Sequence, residues 1–176
     1  MTVGSGPNGY GSVTREASGR VPKKGDVLTL DVGARIDGYW SDLNRNGTVG
    51  PAGASLRADH ALLRDAIGMG MRTVRPGVLV RDLHAAMRAV LGERAPEYGR
   101  MGHGVGLDFT EGPSIQPRSD VLLRKGMVLA LEPSMAVERP DESRGLIVAE
   151  ELVVVTGGGA RQLSVPIPDG LPEWIA

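Results

Sequence analysis

Asp31 and Asp42 stand eleven residues apart, and the chain between them reads as two strands and a turn. Val27 to Val32 is β-rich, Ile36 to Leu43 is a second strand candidate, and Ala34-Arg35-Ile36-Asp37-Gly38 carries an Asp-Gly turn signal. A turn centred between Ile36 and Asp37 sets Asp31 and Asp42 directly opposite each other. Opposed residues on paired strands have Cβ atoms about 4.5–5.5 Å apart, and like charges there are destabilising. Asp is also a poor strand former. Two carboxylates among Leu30, Val32 and Trp40 therefore need a reason. A divalent cation is the simplest, because oxygen ligands suit hard or intermediate metals. A proton shared between the two acids is a second. An aspartate turned to solvent, or a bulge between the two, is the plain alternative.

Other groups join this pair. Glu132 ends the apolar run Met127-Val128-Leu129-Ala130-Leu131, and Glu150 sits between Ile147-Val148-Ala149 and Leu152-Val153-Val154-Val155. A bare charge inside such runs is costly to bury, so each needs a partner or an edge facing water. Glu151 competes with Glu150, and strand alternation sends one of them to each face. His103 lies in Met101-Gly102-His103-Gly104-Val105-Gly106, where glycines permit close approach of backbone and ligand. His60 and His84 fall inside helical patterns and read as surface or packing residues. Two Asp, one His and two Glu make a dinuclear metal inventory.

Composition narrows the rest. The chain has 176 residues, no cysteine and a formal net charge of -1. That is one domain's worth of chain, and any metal must sit on His, Asp or Glu. The charge balance argues against nucleic acid as a partner. There is no run of about 18 apolar residues to span a membrane. The first residues are Gly-rich and polar, unlike a signal peptide, so the expected location is cytoplasmic.

The elements that must position these groups follow from periodicity. Met1 to Lys24 reads as loop with room for a short strand, and Gly47 to Ala54 as a linker. Ser55 is the expected cap of a helix to about Val74, with Leu56, Leu63, Ile67 and Met71 on one face. Arg75-Pro76-Gly77 stops it, and a second helix carries Leu79, Leu83, Met87, Val90 and Leu91 to Gly92. Met127 to Leu131 and Leu146 to Val155 are strand signals, Gly157-Gly158-Gly159 a turn, and Val165 to Pro172 an irregular tail. Strand, helix, helix, strand predicts an α+β fold.

Four segments then resemble a known family. Asp31-Val-Gly-Ala with Gly38-Tyr-Trp-Ser-Asp42-Leu-Asn-Arg resembles the first metal motif of the M24 pita-bread metallopeptidases. Gly102-His103-Gly104-Val105-Gly106-Leu-Asp resembles their histidine motif. Lys125-Gly-Met-Val-Leu-Ala-Leu-Glu132-Pro133 and Glu150-Glu-Leu-Val-Val-Val-Thr156 resemble the two glutamate motifs. Order and spacing agree, from about residue 3 to 165. Gly-Tyr-Trp-Ser-Asp-Leu is closest to the Xaa-Pro aminopeptidase, prolidase and creatinase branch.

The resemblance implies a pita-bread fold over one catalytic domain, residues 1–176, incomplete at its N-terminal helical part. It implies Asp31, Asp42, His103, Glu132 and Glu150 as ligands of two divalent ions (Mn, Co, Zn or Fe), with Asp42 and Glu150 bridging. It settles Glu150 over Glu151. Glu132 and His103 become the catalytic candidates, Glu132 as acceptor of the water's proton. The implied substrate is a short peptide of Xaa-Pro aminopeptidase or dipeptidase type, and the implied assembly a homodimer. Two positions depart from the pattern: Thr14 and Thr110 stand where family members often carry histidine. Thr hydrogen-bonds but does not titrate near neutral pH. That departure keeps two alternatives open, a small-amide C–N hydrolase of the creatinase or ectoine-hydrolase kind and a non-catalytic binding module.

Overall fold

The computed structural model describes residues 1–6, 19–96, 99–138 and 144–175. β1 (Thr2–Ser5), β2 (Val27–Ile36) and β3 (Tyr39–Val49) pair antiparallel in that order. Helices α1 (Ala54–Thr73) and α2 (Val80–Leu91) follow, then a 3-10 turn at Gly92–Arg94. The remaining elements are β4 (Gly102–Gly104), β5 (Glu111–Ser114), β6 (Val128–Leu131) and β7 (Ser134–Glu138). After them come β8 (Arg144–Val148), β9 (Glu151–Thr156), β10 (Gly159–Gln162) and β11 (Glu173–Ile175). The strands form one sheet ordered β1-β2-β3-β11, a second ordered β10-β9-β6-β4-β5, and the ribbon β7-β8. The expected α+β order of elements is the observed one.

The hairpin register differs from the one expected. Asp31 pairs with Asn44, and Asp42 pairs with Gly33. The cause is the turn. Asp37 and Gly38 both take positive φ, 50° and 91°, and alone link the paired residues Ile36 and Tyr39. Such a two-residue turn suits the right-handed twist of paired strands. It moves the turn centre one residue along and each cross-strand partner by two. Asp31 and Asp42 are thus diagonal neighbours on one face of the ribbon, where spacings of about 7–8 Å replace direct opposition.

Three boundaries also move. β3 continues through Gly47 to Val49, so the expected linker is half strand. α1 begins at Ala54 with Gly53 as its N-cap, and Ser55 lies inside the first turn, because the chain reverses within Gly50-Pro51-Ala52. The run Leu146 to Val155 breaks at Ala149-Glu150, where the Ala149 N–H donates to Pro133 O at 3.2 Å. The two halves serve different partners, β8 pairing with β7 and β9 with β6. The proline-rich tail is free of strand, as expected, and leads into β11, which lies parallel to β3. Pro7-Asn8 and Val13-Thr14 lie outside the described residues.

The core forms where α1 and α2 pack on each other and on the sheets. Leu63 and Ile67 of α1, Leu83, Met87 and Leu91 of α2, and Leu129, Leu131, Met135, Ile147 and Val153 share one buried cluster. Leu56 and Met71 flank it, so the helical face read from the sequence is the packed face. Among the described residues no helix is long and apolar enough to cross a membrane.

Met87 is fully buried in this cluster. Met87→Ala should lower unfolding free energy by about 2–5 kcal/mol, read as a reduced urea midpoint at unchanged slope.

Candidate metal centre

Each candidate ligand sits on a strand or next to a strand end. Asp31 is on β2, Asp42 on β3 and His103 on β4, while Glu132 follows β6 and Glu150 precedes β9. β6 and β9 pair through Leu131 and Glu151, so Glu132 and Glu150 emerge facing each other just beyond that ladder. β4 pairs with β6 through His103 and Ala130, which brings the imidazole onto the same edge. Gly102 makes that approach possible. Its φ is 133°, and a Cβ there would sit 1.9 Å from Ala130 O.

The structure brings Asp42, His103 and Glu150 together. One ligand atom from each lies within 4.8 Å of the others, and all three residues are buried. His103 Nε2 is 3.4 Å from Asp42 Oδ2 and 3.9 Å from Glu132 Oε2. Its Nδ1 lies 2.9 Å from Gly104 O. Nδ1–H donating to that carbonyl leaves Nε2 facing the carboxylates, the arrangement that orients metal-ligating imidazoles. Glu132 is the opened member, its side chain 21% exposed. Asp31 is half-buried two residue pairs along the ribbon from Asp42, on the same face.

The electrostatics follow from crowding. Burial pushes Glu150 up to about 10, with Glu132, Asp42 and Asp31 adding repulsion and Arg45 opposing it. Burial also raises Glu132, against the pull of His103, and raises Asp31 with help from Asp42. Burial alone would lower His103, but the Asp42 carboxylate and the Gly104 carbonyl hold it above its ordinary value. Glu150 Oε1 is buried without a hydrogen-bond partner. An unpaired carboxylate oxygen in the interior is expensive unless a proton or a cation meets it. One imidazole nitrogen among carboxylate oxygens is a donor set suited to Mn, Fe, Co or Zn. The residues present therefore fit a divalent cation.

Alternation separates the two adjacent glutamates. Glu151 points away from the cluster and forms an ion pair with Arg45 Nη2 at 3.2 Å, while Ser164 Oγ and the Ile167 N–H donate to the same carboxylate. Arg45 Nη1 also donates to Glu150 O at 2.6 Å. Arg45, three residues after Asp42 in the first motif, carries no local sign of this role, because its partners lie across the fold. His60 and His84 are buried on the two helices, in keeping with packing roles. Thr110 is exposed on the loop between β4 and β5. On that loop Phe109 meets Trp40 edge to face, with centroids 5.4 Å apart, and rests over Gly33, the cross-strand partner of Asp42.

Comparison with known proteins agrees with this geometry. Residues 1–157 match metallopeptidase family M24. A probable dipeptidase PepE from Mycobacterium tuberculosis is 33% identical over 168 residues, which are 91% of this chain and 42% of that protein. The crystal structure of a dipeptidase from Pyrococcus horikoshii OT3 superposes with a TM-score of 0.84 at 32% identity, covering 97% of this chain and 47% of that one. An X-Pro aminopeptidase from Thermotoga maritima MSB8 gives 0.85 at 27% identity, with 97% and 47% covered. The chain thus spans about half the length, or less, of the proteins it matches, and it shares their pita-bread fold. With the family motifs, the fold and the buried acid–imidazole cluster in agreement, this chain belongs to metallopeptidase family M24.

Proposed function

We propose that this chain, read as a single domain, carries the metal centre of a peptidase that hydrolyses short peptides, of dipeptidase or Xaa-Pro aminopeptidase type. The observation that carries the reading is the buried Asp42–His103–Glu150 triad, whose uncompensated acids fit a cation, in a chain of this family. The names of the similar dipeptidases and the X-Pro aminopeptidase support the substrate class. Asp31, Asp42, His103, Glu132 and Glu150 would hold two divalent ions, with Mn or Co the first to try. When bound, such a pair lowers the pKa of water and polarises a scissile carbonyl.

The chain's own groups supply the rest. Glu132 keeps its side chain 21% exposed, and its raised pKa suits a group that accepts a proton from water and returns it to the leaving amine. His103 is held in one orientation through Nδ1 and Gly104 O. Trp40 and Phe109 wall the approach beside Asp42 and shed water from it. Arg45 fixes the backbone of Glu150 from behind. Thr110, which does not titrate near neutral pH as a histidine would, favours one second reading, hydrolysis of a small non-peptide amide at the same centre.

Three outcomes test this. Elemental analysis of the manganese-loaded chain should find close to two ions per chain, and Glu150→Gln or Asp42→Ala should lose most of them. A loaded, folded chain should release amino acids from dipeptides with proline second; cleavage of small amides alone would favour the second reading, and inertness toward both would remove the enzyme proposal. The third outcome concerns pH. In the chelated chain the folded state holds a proton on Glu150 that the unfolded chain releases above its ordinary value of 4.5. A raised acid stabilises the fold below the unfolded pKa, and that contribution fades as pH climbs toward about 10. Glu132, Asp31 and His103 are raised too and act with the same sign. The Tm of the chelated chain should therefore fall between about pH 6 and pH 9, and Glu150→Gln should flatten that fall.

A further inference from the structure

Arg100 stands two residues before β4 and is exposed to solvent. The backbone sets it beside the metal centre. Gly102 pairs with Leu131, and the Glu132 N–H donates to Met101 O at 2.9 Å, so Arg100 adjoins the residue that Glu132 bonds. Its charge is felt there, opposing protonation of both His103 and Glu132. Among the described residues Arg100 forms no ion pair and no hydrogen bond.

Two other arginines near the centre are engaged. Arg45 is held by Glu151 and by the Glu150 carbonyl. Arg35 shares the ribbon face of Asp31 and Asp42, but its Nε donates to Gly38 O at 3.2 Å and its guanidinium lies 5.8 Å from the centroid of Trp40. An exposed arginine needs no partner of its own, so the placement of Arg100 is what carries meaning.

The charge balance of the loaded site says what that placement is for. Two divalent ions would be offset by the ionised carboxylates of Asp31, Asp42, Glu132 and Glu150. The centre itself then offers no surplus positive charge. A substrate that carries an anion close to the scissile bond must find its counter-charge in the protein, because a charge brought out of water unpaired is costly. Peptide length decides whether such an anion exists. In a dipeptide the C-terminal carboxylate lies one residue, a span of about 3.5 Å, beyond the scissile carbonyl. In a longer peptide that place is taken by a neutral amide. A guanidinium matches a carboxylate with two parallel N–H···O bonds, which a neutral amide cannot accept in the same way.

We propose that Arg100 receives the C-terminal carboxylate of the substrate and so selects dipeptides over longer peptides. The inference rests on the peptidase reading above and chooses between its two branches.

The test uses the full chain loaded with manganese and two substrates, Ala-Pro and its C-terminal amide, which lacks the charge. KM for Ala-Pro should lie about tenfold or more below KM for the amide, the difference expected of a hydrogen-bonded charge pair. Arg100→Gln should raise KM for Ala-Pro by that factor and leave KM for the amide and the manganese content unchanged. Arg100→Lys should recover part of the preference. A merely structural role would move both substrates together. Calorimetric binding of proline and prolinamide to the loaded chain reads the same preference without turnover. A chain that cleaves neither peptide would therefore remove the peptidase reading, while proline bound about tenfold more tightly than prolinamide, and no longer so in Arg100→Gln, would still support the carboxylate site. Equal KM values for acid and amide, equal binding of proline and prolinamide, or an acid preference that survives in folded Arg100→Gln would each overturn the proposal.

Discussion

Four carboxylates on β2 and β3 and just beyond β6 and before β9 crowd one imidazole on β4, and charge on all of them together is costly. Asp42 and Glu150 are buried and Asp31 and Glu132 partly so; beside the effect of burial, Asp42 raises the proton affinity of Asp31, and Asp31 and Asp42 raise that of Glu132 and, with Glu132, that of Glu150. The lowest-energy ways out are to keep protons on some acids or to bring in a multivalent cation. Without either, the interior would hold several uncompensated charges, a cost that a domain of ordinary stability cannot absorb. The fold is therefore coupled to whatever neutralises this cluster.

The scaffold answers that cost with rigidity. Every ligand is on or next to a hydrogen-bonded strand, and Gly102 lets β4 lie close enough to β6 for His103 to reach the acids. Behind Glu150, Arg45 bonds its carbonyl and pairs with Glu151, while Glu151 gathers Ser164 and Ile167 from the tail. One buried ion pair thus fixes a ligand's backbone and pins the segment that closes over β3. Breaking such a pair from one side leaves a buried charge, so its two members act as a unit.

Much of this was legible in the sequence because charge inside an apolar run is conspicuous. Glu132, Glu150 and the two aspartates stand out against Leu, Val and Ile, and the glycines around His103 mark a close approach. The strand alternation that divides Glu150 from Glu151 also needs nothing but their adjacency. What sequence did not show depended on small offsets or distant contacts. A two-residue turn at Asp37-Gly38 rather than a broader one shifted each hairpin partner by two, so the opposition of Asp31 and Asp42 became a diagonal. The break at Ala149 was hidden because both halves of the run are equally apolar, and only their different partners separate them. Asn44 gave no sign of burial, since uncharged polar residues are common on strand surfaces, and His60 read as either surface or packing; the returning tail lies over both. Arg45 and Glu151 lie 106 positions apart, beyond any local pattern.

Metal entering this acid cluster should displace protons from it. Calorimetric titration of the chelated and desalted chain with manganese, in two buffers of different ionisation enthalpy near neutral pH, counts the protons released on binding. A net release of at least about one proton per chain is expected, reduced in Glu150→Gln, because ligands must shed protons to bind. Tight binding with no proton release, or release unchanged in Glu150→Gln, would contradict it.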